Sequence, residues 1–232
     1  MQENRGWLFK FFRNKNLDYY NSKINTPAYL DLDEYFPDHK ILKENWEEIK
    51  TEIEGVINSG KKLPKFHEID DGQTYISKND ESSWSLLNLL LYDIWHEKNT
   101  KLCPKTTSLL KRTKGVKSAY FSVLSAGKHI PPHKGPYKGI IRYQIALSVP
   151  KNGVCKLIVD NKDYFWKEGE GVLFDDTYTH EVQNKTKEVR IALLLDVRRK
   201  IIGPLKYYDF FVFRLIQFLV ILNNTFSKSK VT

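Results

Sequence analysis

Cysteine is scarce in this chain. Its 232 residues include two, Cys103 and Cys155, which are too far apart for the paired spacing of a thiolate metal site and read as buried free thiols. Also missing is any apolar run of the roughly 18 to 20 residues that a spanning helix needs. The nearest candidate, 207–222, is interrupted by Asp209, Arg214 and Gln217. No secretory leader is evident, because Arg5, Lys10 and Arg13 break up the first apolar residues and no small-residue cleavage site follows. The expectation is a cytoplasmic protein, peripheral on the inner face of the cell membrane if its termini bind lipid. There is no Gly-x-Ser-x-Gly elbow and no Cys–His pair, so nothing points to a nucleophilic hydrolase. Internal repeats and low-complexity tracts are absent as well.

Cations are plentiful. Lys and Arg number 37 against 28 Asp and Glu, a formal charge of +9, which favours an anionic partner. The cations are spread along the chain with no aromatic-basic recognition motif, so nucleic acid is not expected. Membrane headgroups or an acidic substrate remain.

Residues 1–25 form a basic, aromatic N-terminal segment, 28–200 a single domain, and 204–232 an apolar amphipathic C-terminal helix. Leu42, Trp46, Ile49, Ile53, Val56 and Ile57 recur at helical spacing before a stop at Asn58-Ser59-Gly60. Residues 60–83 read as loop. For 84–95 periodicity allows strand or helix, and 104–111 reads as a short helix with Pro104 in its first turn. Beyond Val116 come short β-rich runs at 116–124, 140–149, 154–159, 163–166, 171–174, 179–183 and 188–196, separated by turn residues. This pattern predicts a mainly β fold with peripheral helices, a double-stranded β-helix (jelly roll, cupin-like). A hairpin turn at Asn184–Lys187 would place Arg190 beside His180 across neighbouring strands.

Two histidines and two arginines stand out against this background. Pro131-Pro132 stiffens the approach to His133, and His180 follows the acidic turn Asp175-Asp176 into a strand. Imidazoles can ligate iron while leaving positions open, and an arginine fork can grip the carboxylate of a 2-oxo acid. Arg142 and Arg190 each lie in an otherwise apolar strand; an anionic ligand inside the barrel would turn both inward, whereas without one they would face solvent. Asp175 and Asp176 are read as braces of the loop. Trp166-Lys167-Glu168-Gly169 is read as a turn with a packed indole. His39, His67 and His96 are read as ordinary surface or core residues, and His129 as outside the site.

The ordered elements Cys103-Pro104-Lys105-Thr106, Val116–Ser122, His133–Gly139, Arg142-Tyr143, Trp166–Gly169, Phe174–Tyr178, His180 and Arg190 resemble the aspartyl/asparaginyl β-hydroxylase family. Its members are iron(II)- and 2-oxoglutarate-dependent dioxygenases, among them bacterial lipid A and ornithine-lipid hydroxylases. The resemblance covers about residues 28–200. It implies Fe(II) on His133 and His180, 2-oxoglutarate on Ser122, Arg142, Gln144 and Arg190, and dioxygen as second co-substrate. The hydroxylated C–H bond would belong to an Asp or Asn side chain of a protein or peptide, or to a lipid acyl chain.

Two positions depart from the commoner pattern. Gly135 stands where many such oxygenases carry a carboxylate ligand; this inclines the resemblance to the protein-hydroxylase branch, and Gly135→Asp is expected to preserve or raise metal affinity. Gln144 stands where the family usually has His, so that position donates a hydrogen bond without charge. The competing reading is a non-catalytic jelly-roll binding module at a membrane surface. The terminal segments either bind an anionic membrane together or pack on the core, and the C-terminal helix also offers an oligomer interface.

Overall fold

The computed structural model describes residues 5–222 together with residues 228, 229 and 231. Among them, ten strands form two antiparallel sheets. They are β1 (Trp84–Leu91), β2 (Ile94–Trp95), β3 (Val116–Leu124), β4 (His129–His133), β5 (Ile140–Ser148), β6 (Cys155–Val159), β7 (Lys162–Phe165), β8 (Gly171–Phe174), β9 (His180–Asn184) and β10 (Arg190–Arg198). The larger sheet has the order β2-β1-β3-β10-β5-β8 and the smaller β4-β9-β6-β7. From β3 to β10 the chain passes back and forth between the sheets, the jelly-roll topology expected from the spacing of the short strands.

Turn chemistry explains several connections. Asp160 and Asn161 both take positive φ, 51° and 60°, and form a two-residue hairpin loop between paired Val159 and Lys162; their twist matches that of the flanking strands. Residues 84–95, ambiguous by period, are strand: Tyr92 and Asp93 at φ 46° and 67° turn β1 back onto β2. Strand β4 lies outside the predicted β-rich runs because Pro131 and Pro132 lack ladder donors. It survives as an edge strand with a register break between Ile130 and His133.

The larger sheet buries both faces. Its inner face, with Leu86, Leu124, Ala146, Val172 and Phe174, meets Ile130, Leu157, Val159 and Val182 of the smaller sheet. Its outer face, with Phe121, Tyr143, Ile145, Leu193 and Leu195, packs on helices α2 (His39–Glu44), α3 (Trp46–Asn58) and α4 (Pro104–Arg112). Double burial is why β10 is apolar along most of its length. The helix expected through Leu42–Ile57 is broken at Asn45, whose amide donates to the Ile41 carbonyl at 2.7 Å; such local side-chain bonds compete with the helix ladder. Helices α1 (Trp7–Asn21) and α5 (Leu205–Leu222) cover the segments expected at the two ends. Residues 223–227, 230 and 232 of the segment expected at 204–232 lie outside the described residues.

The expected hairpin at Asn184–Lys187 is not formed. β9 pairs with β4 and β6, whereas β10 pairs with β3 and β5. The turn wraps around the Asn184 side chain, which donates to Ser125 O at 3.0 Å and Glu188 O at 2.8 Å and accepts from Thr186 Oγ1 at 2.6 Å. These bonds carry the chain from one sheet to the other, so Arg190 faces the site from the sheet opposite His180.

Residues 60–83 are not all loop, containing short helical turns at Phe66–Ile69 and Thr74–Ser77. Fully buried Lys128 pins this segment, donating to Ser77 O, Asn79 Oδ1 and Asp80 Oδ1 at 2.7–2.8 Å.

Candidate active site

His133 ends β4 and His180 begins β9 as its direct cross-strand partner, with ring centroids 4.1 Å apart. His133 Nδ1 lies 2.8 Å from the Pro131 carbonyl, and His180 Nδ1 lies 3.0 Å from the Tyr178 carbonyl. A carbonyl only accepts, so each Nδ1 carries the proton and each Nε2 keeps its lone pair. Burial pushes the His133 pKa down to about 4, with the positive charge of Arg142 adding to the shift. His180 is held well below the usual histidine range by burial and by His133 itself. Both rings are neutral near pH 7, the form that ligates metal. Among the described residues no third His, Cys, Asp or Glu completes a cluster with them.

Gly135, two residues beyond His133, has no room for a side chain. A Cβ there would stand 2.4 Å from the Asp176 carboxylate, and the Gly135 N–H donates to the Asp176 carbonyl at 2.7 Å. Asp176 therefore occupies the space an acid at position 135 would need. It is 1% exposed, and neither oxygen has a hydrogen-bond partner. Burial raises its pKa to about 7, although Arg142 nearby pulls the other way. The loop role foreseen for the acidic pair belongs to Asp175, which accepts from Thr177 N and Oγ1 and pairs with Arg199 at 2.7 Å and Lys138 at 3.0 Å. Asp176 is a site residue that the sequence reading missed.

The two arginines differ. Arg142 points inward, but Asp196 binds its Nε and Nη2 at 3.1 and 2.8 Å, and Asp176 lies 3.2 Å away. Asp196 stands directly opposite it on β10. Arg190 is 1% exposed and has no carboxylate partner among the described residues. It lies over the Trp166 ring at 4.5 Å, so the packed indole expected at that turn is also the floor beneath the arginine. Its Nη1 reaches Ser122 Oγ at 3.4 Å, its Nε has no partner, and burial pushes its pKa down to about 10. Trp84 Nε1 also donates to Ser122 Oγ, at 2.9 Å. With both lone pairs of Ser122 taken, its own proton is available for an acceptor. Gln144, on the inner face of β5, is 3% exposed with an unpartnered Oε1.

The barrel thus brings together all the residues the sequence singled out: His133 and His180 on one sheet, and Ser122, Arg142, Gln144 and Arg190 on the other. It adds Asp176, Asp196 and Trp84. Asp196 shares strand parity with Arg190, a signal the sequence did contain; nothing local pointed to Trp84. His129 stays outside the pair, bound to Glu181 at 2.6 Å.

A family model described as Aspartyl/Asparaginyl beta-hydroxylase matches residues 43–200. The chain belongs to that family. The match takes in α3, α4 and all ten strands and stops before α5. Ornithine lipid ester-linked acyl 2-hydroxylase of Rhizobium tropici is 32% identical over 204 residues, covering 88% of this chain and 71% of that protein. Aspartyl/asparaginyl beta-hydroxylase of Homo sapiens is 31% identical over 163 residues, covering 68% of this chain and 20% of that protein. Among solved structures, a Cupin_2 domain of an XRE family transcriptional regulator from Enterobacter cloacae aligns with a TM-score of 0.36 at 14% identity, over 50% of this chain and 98% of that one. Membership of a hydroxylase family supports an enzymatic role over a passive binding module.

Proposed function

We propose that this protein is an Fe(II)- and 2-oxoglutarate-dependent hydroxylase. The observation that carries the reading is the pairing of two neutral, Nε2-open histidines with a buried arginine that has no counter-anion. Two imidazole ligands leave most of the coordination sphere of an iron for co-substrates. The unpartnered Gln144 Oε1 and Arg190 Nε atoms fit a polar ligand held in the barrel, since buried polar groups are normally satisfied.

When bound, iron and 2-oxoglutarate supply the oxidising power: one oxygen atom of dioxygen enters a C–H bond and the other enters succinate, with release of carbon dioxide. The chain's own residues do the positioning. The Pro131 and Tyr178 carbonyls hold both imidazoles in the Nδ1–H tautomer. Arg190, Ser122 and Gln144 would hold the carboxylates of the co-substrate, the arginine by its charge and the other two by hydrogen bonds. Arg142, its charge balanced by Asp196 and Asp176, braces the rim beside the histidines. Trp84, Trp166 and Phe174 keep water from the charged contacts, which strengthens them.

For the substrate we favour a lipid acyl chain over an Asp or Asn side chain. Similarity to the Rhizobium tropici ornithine lipid hydroxylase runs over 88% of this chain, against 68% for the human aspartyl/asparaginyl enzyme. Gly135 had inclined the choice the other way, but its lack of a side chain follows from packing against Asp176. Iron-loaded protein with 2-oxoglutarate and ornithine lipid should form succinate and hydroxylated lipid in equal amounts. Failure to bind Fe(II) would overturn the oxygenase reading; succinate coupled only to an Asp- or Asn-containing peptide would overturn the substrate choice.

A further inference from the structure

We propose that α1 and α5 together form a docking surface for a bilayer containing anionic phospholipid. The proposal deepens the lipid-substrate reading above, but it is argued from the helix faces alone and needs neither iron nor co-substrate.

Helix α5 leaves most of its apolar surface outside: Phe213 alone among its four phenylalanines is buried. Its polar residues Asp209 and Gln217 face the protein at 2% and 8% exposure, while Phe210, Phe211, Phe218 and Leu222 face outward at 55–68%. Surface helices normally place their apolar stripe on the core. Asp209 sets this orientation: its carboxylate accepts from Tyr20 at 2.7 Å and from Tyr137 at 2.5 Å, and pairs with Arg198. Gln217 donates to the Tyr92 carbonyl at 2.7 Å. Rolling the helix to hide its exposed phenylalanines would expose buried Asp209 and strip half-buried Arg198 of its counter-ion, so the apolar face stays outside.

Helix α1 extends the same surface. Trp7 and Phe12 are 78% and 62% exposed. The two helices are joined where Tyr208 Oη donates to Asn16 Oδ1 at 2.8 Å and the Tyr19 and Tyr208 rings meet edge-on at 4.8 Å.

Charge selects the occupant. A cavity of about 540 Å³ opens at the start of α5, with Lys200, Lys206, Tyr207 and Phe210 in its lining. Exposed Lys15 lies 6.0 Å from the Phe11 ring of α1, and Lys206 lies 4.8 Å from the Tyr207 ring. Aromatic side chains interleaved with lysines suit the boundary between acyl chains and phosphates. A second copy would present the same cations to a chain already at +9, whereas lipid phosphates complement them. No helix among the described residues is long and apolar enough to cross a membrane, so the pair lies in the interface plane. Tyr137, on the segment between His133 and β5, rests on Asp209, which places this surface against the same connection that carries the site histidine.

The test is sedimentation of the full chain with vesicles of phosphatidylcholine, with and without phosphatidylglycerol, at low salt. The native protein should pellet with the phosphatidylglycerol vesicles and stay in solution with phosphatidylcholine alone. The double variant F211S/F218S should lower the partition coefficient roughly a hundredfold, as expected for two large apolar side chains. K200E/K206E should abolish the preference for phosphatidylglycerol, and both variants should keep the native melting temperature and Fe(II) binding. Native protein remaining in the supernatant with every vesicle overturns the proposal, as does a stable dimer that F211S/F218S converts to monomer. Either result leaves the oxygenase reading standing, because pelleting requires no turnover.

Discussion

Gly135 and Asp176 occupy one space. The backbone of the first donates to the carbonyl of the second at 2.7 Å, and a Cβ on the first would overlap the carboxylate of the second at 2.4 Å. Gly135→Asp therefore does not restore a metal ligand, contrary to the simple expectation from sequence. It forces two carboxylates together in a buried pocket, at a stability cost of about 3 kcal/mol or more, and lowers Fe(II) affinity. Urea unfolding and metal titration check both effects. The double variant G135D/D176G, which vacates the space, should recover most of the lost stability.

Loss of either histidine should end stoichiometric Fe(II) binding, since a two-ligand site cannot spare one. His133→Ala and His180→Ala are to be compared with His129→Ala, which should bind iron normally because His129 pairs with Glu181 outside the site. Anaerobic calorimetry reads all three; full occupancy in the His133 or His180 variant would dismiss the assignment.

The pH dependence of the metal-free protein follows from the same histidines. Burial lowers the His133 pKa to about 4 in the fold, against about 6.5 in the unfolded chain. Between those values the unfolded chain binds more protons, so stability falls as pH drops from about 6.5 toward 4, by on the order of 2 kcal/mol. In His133→Gln that part of the slope should disappear. Fe(II) affinity should stay nearly flat from neutral pH down through the ordinary histidine range, because the folded rings are already neutral.

Arg190→Ala and Arg142→Ala should separate binding from folding. Arg190 neutralises no carboxylate in the fold, so its loss should spare the melting temperature and raise the 2-oxoglutarate KM strongly, by the roughly 2 to 5 kcal/mol of a desolvated charge contact. Arg142→Ala strands Asp176 and Asp196, and should destabilise the fold by about 3 to 5 kcal/mol. Thermal unfolding with and without 2-oxoglutarate distinguishes the two outcomes.

Asp209→Ala should leave Arg198 without its carboxylate and release α5 from Tyr20 and Tyr137, lowering stability by about 3 kcal/mol. Hydrogen exchange should show the loss as faster exchange across α1 and α5, with the barrel strands little changed.

Much of this architecture was local, and so legible in the chain itself. Alternating runs and turn residues marked most of the barrel strands, because strand period and hairpin chemistry act over a few residues. His133, His180, Arg142 and Arg190 stood out before any fold, since charged groups in apolar strands and a histidine behind two prolines are local anomalies, whereas Ser122 and Gln144 were implied only by the family resemblance. Tertiary structure alone decided which side of the barrel each residue approaches. Asn184 folds its turn around its own side chain and sends β10 to the other sheet, so Arg190 opposes His180 instead of flanking it. It also decided that Asp176 fills the room beside Gly135, a packing relation between residues far apart in sequence. The outward phenylalanines of α5 belong to the same class. Helical period identifies an apolar face, but only the buried partners of Asp209, drawn from α1, the segment after His133 and β10, determine that this face looks away from the core.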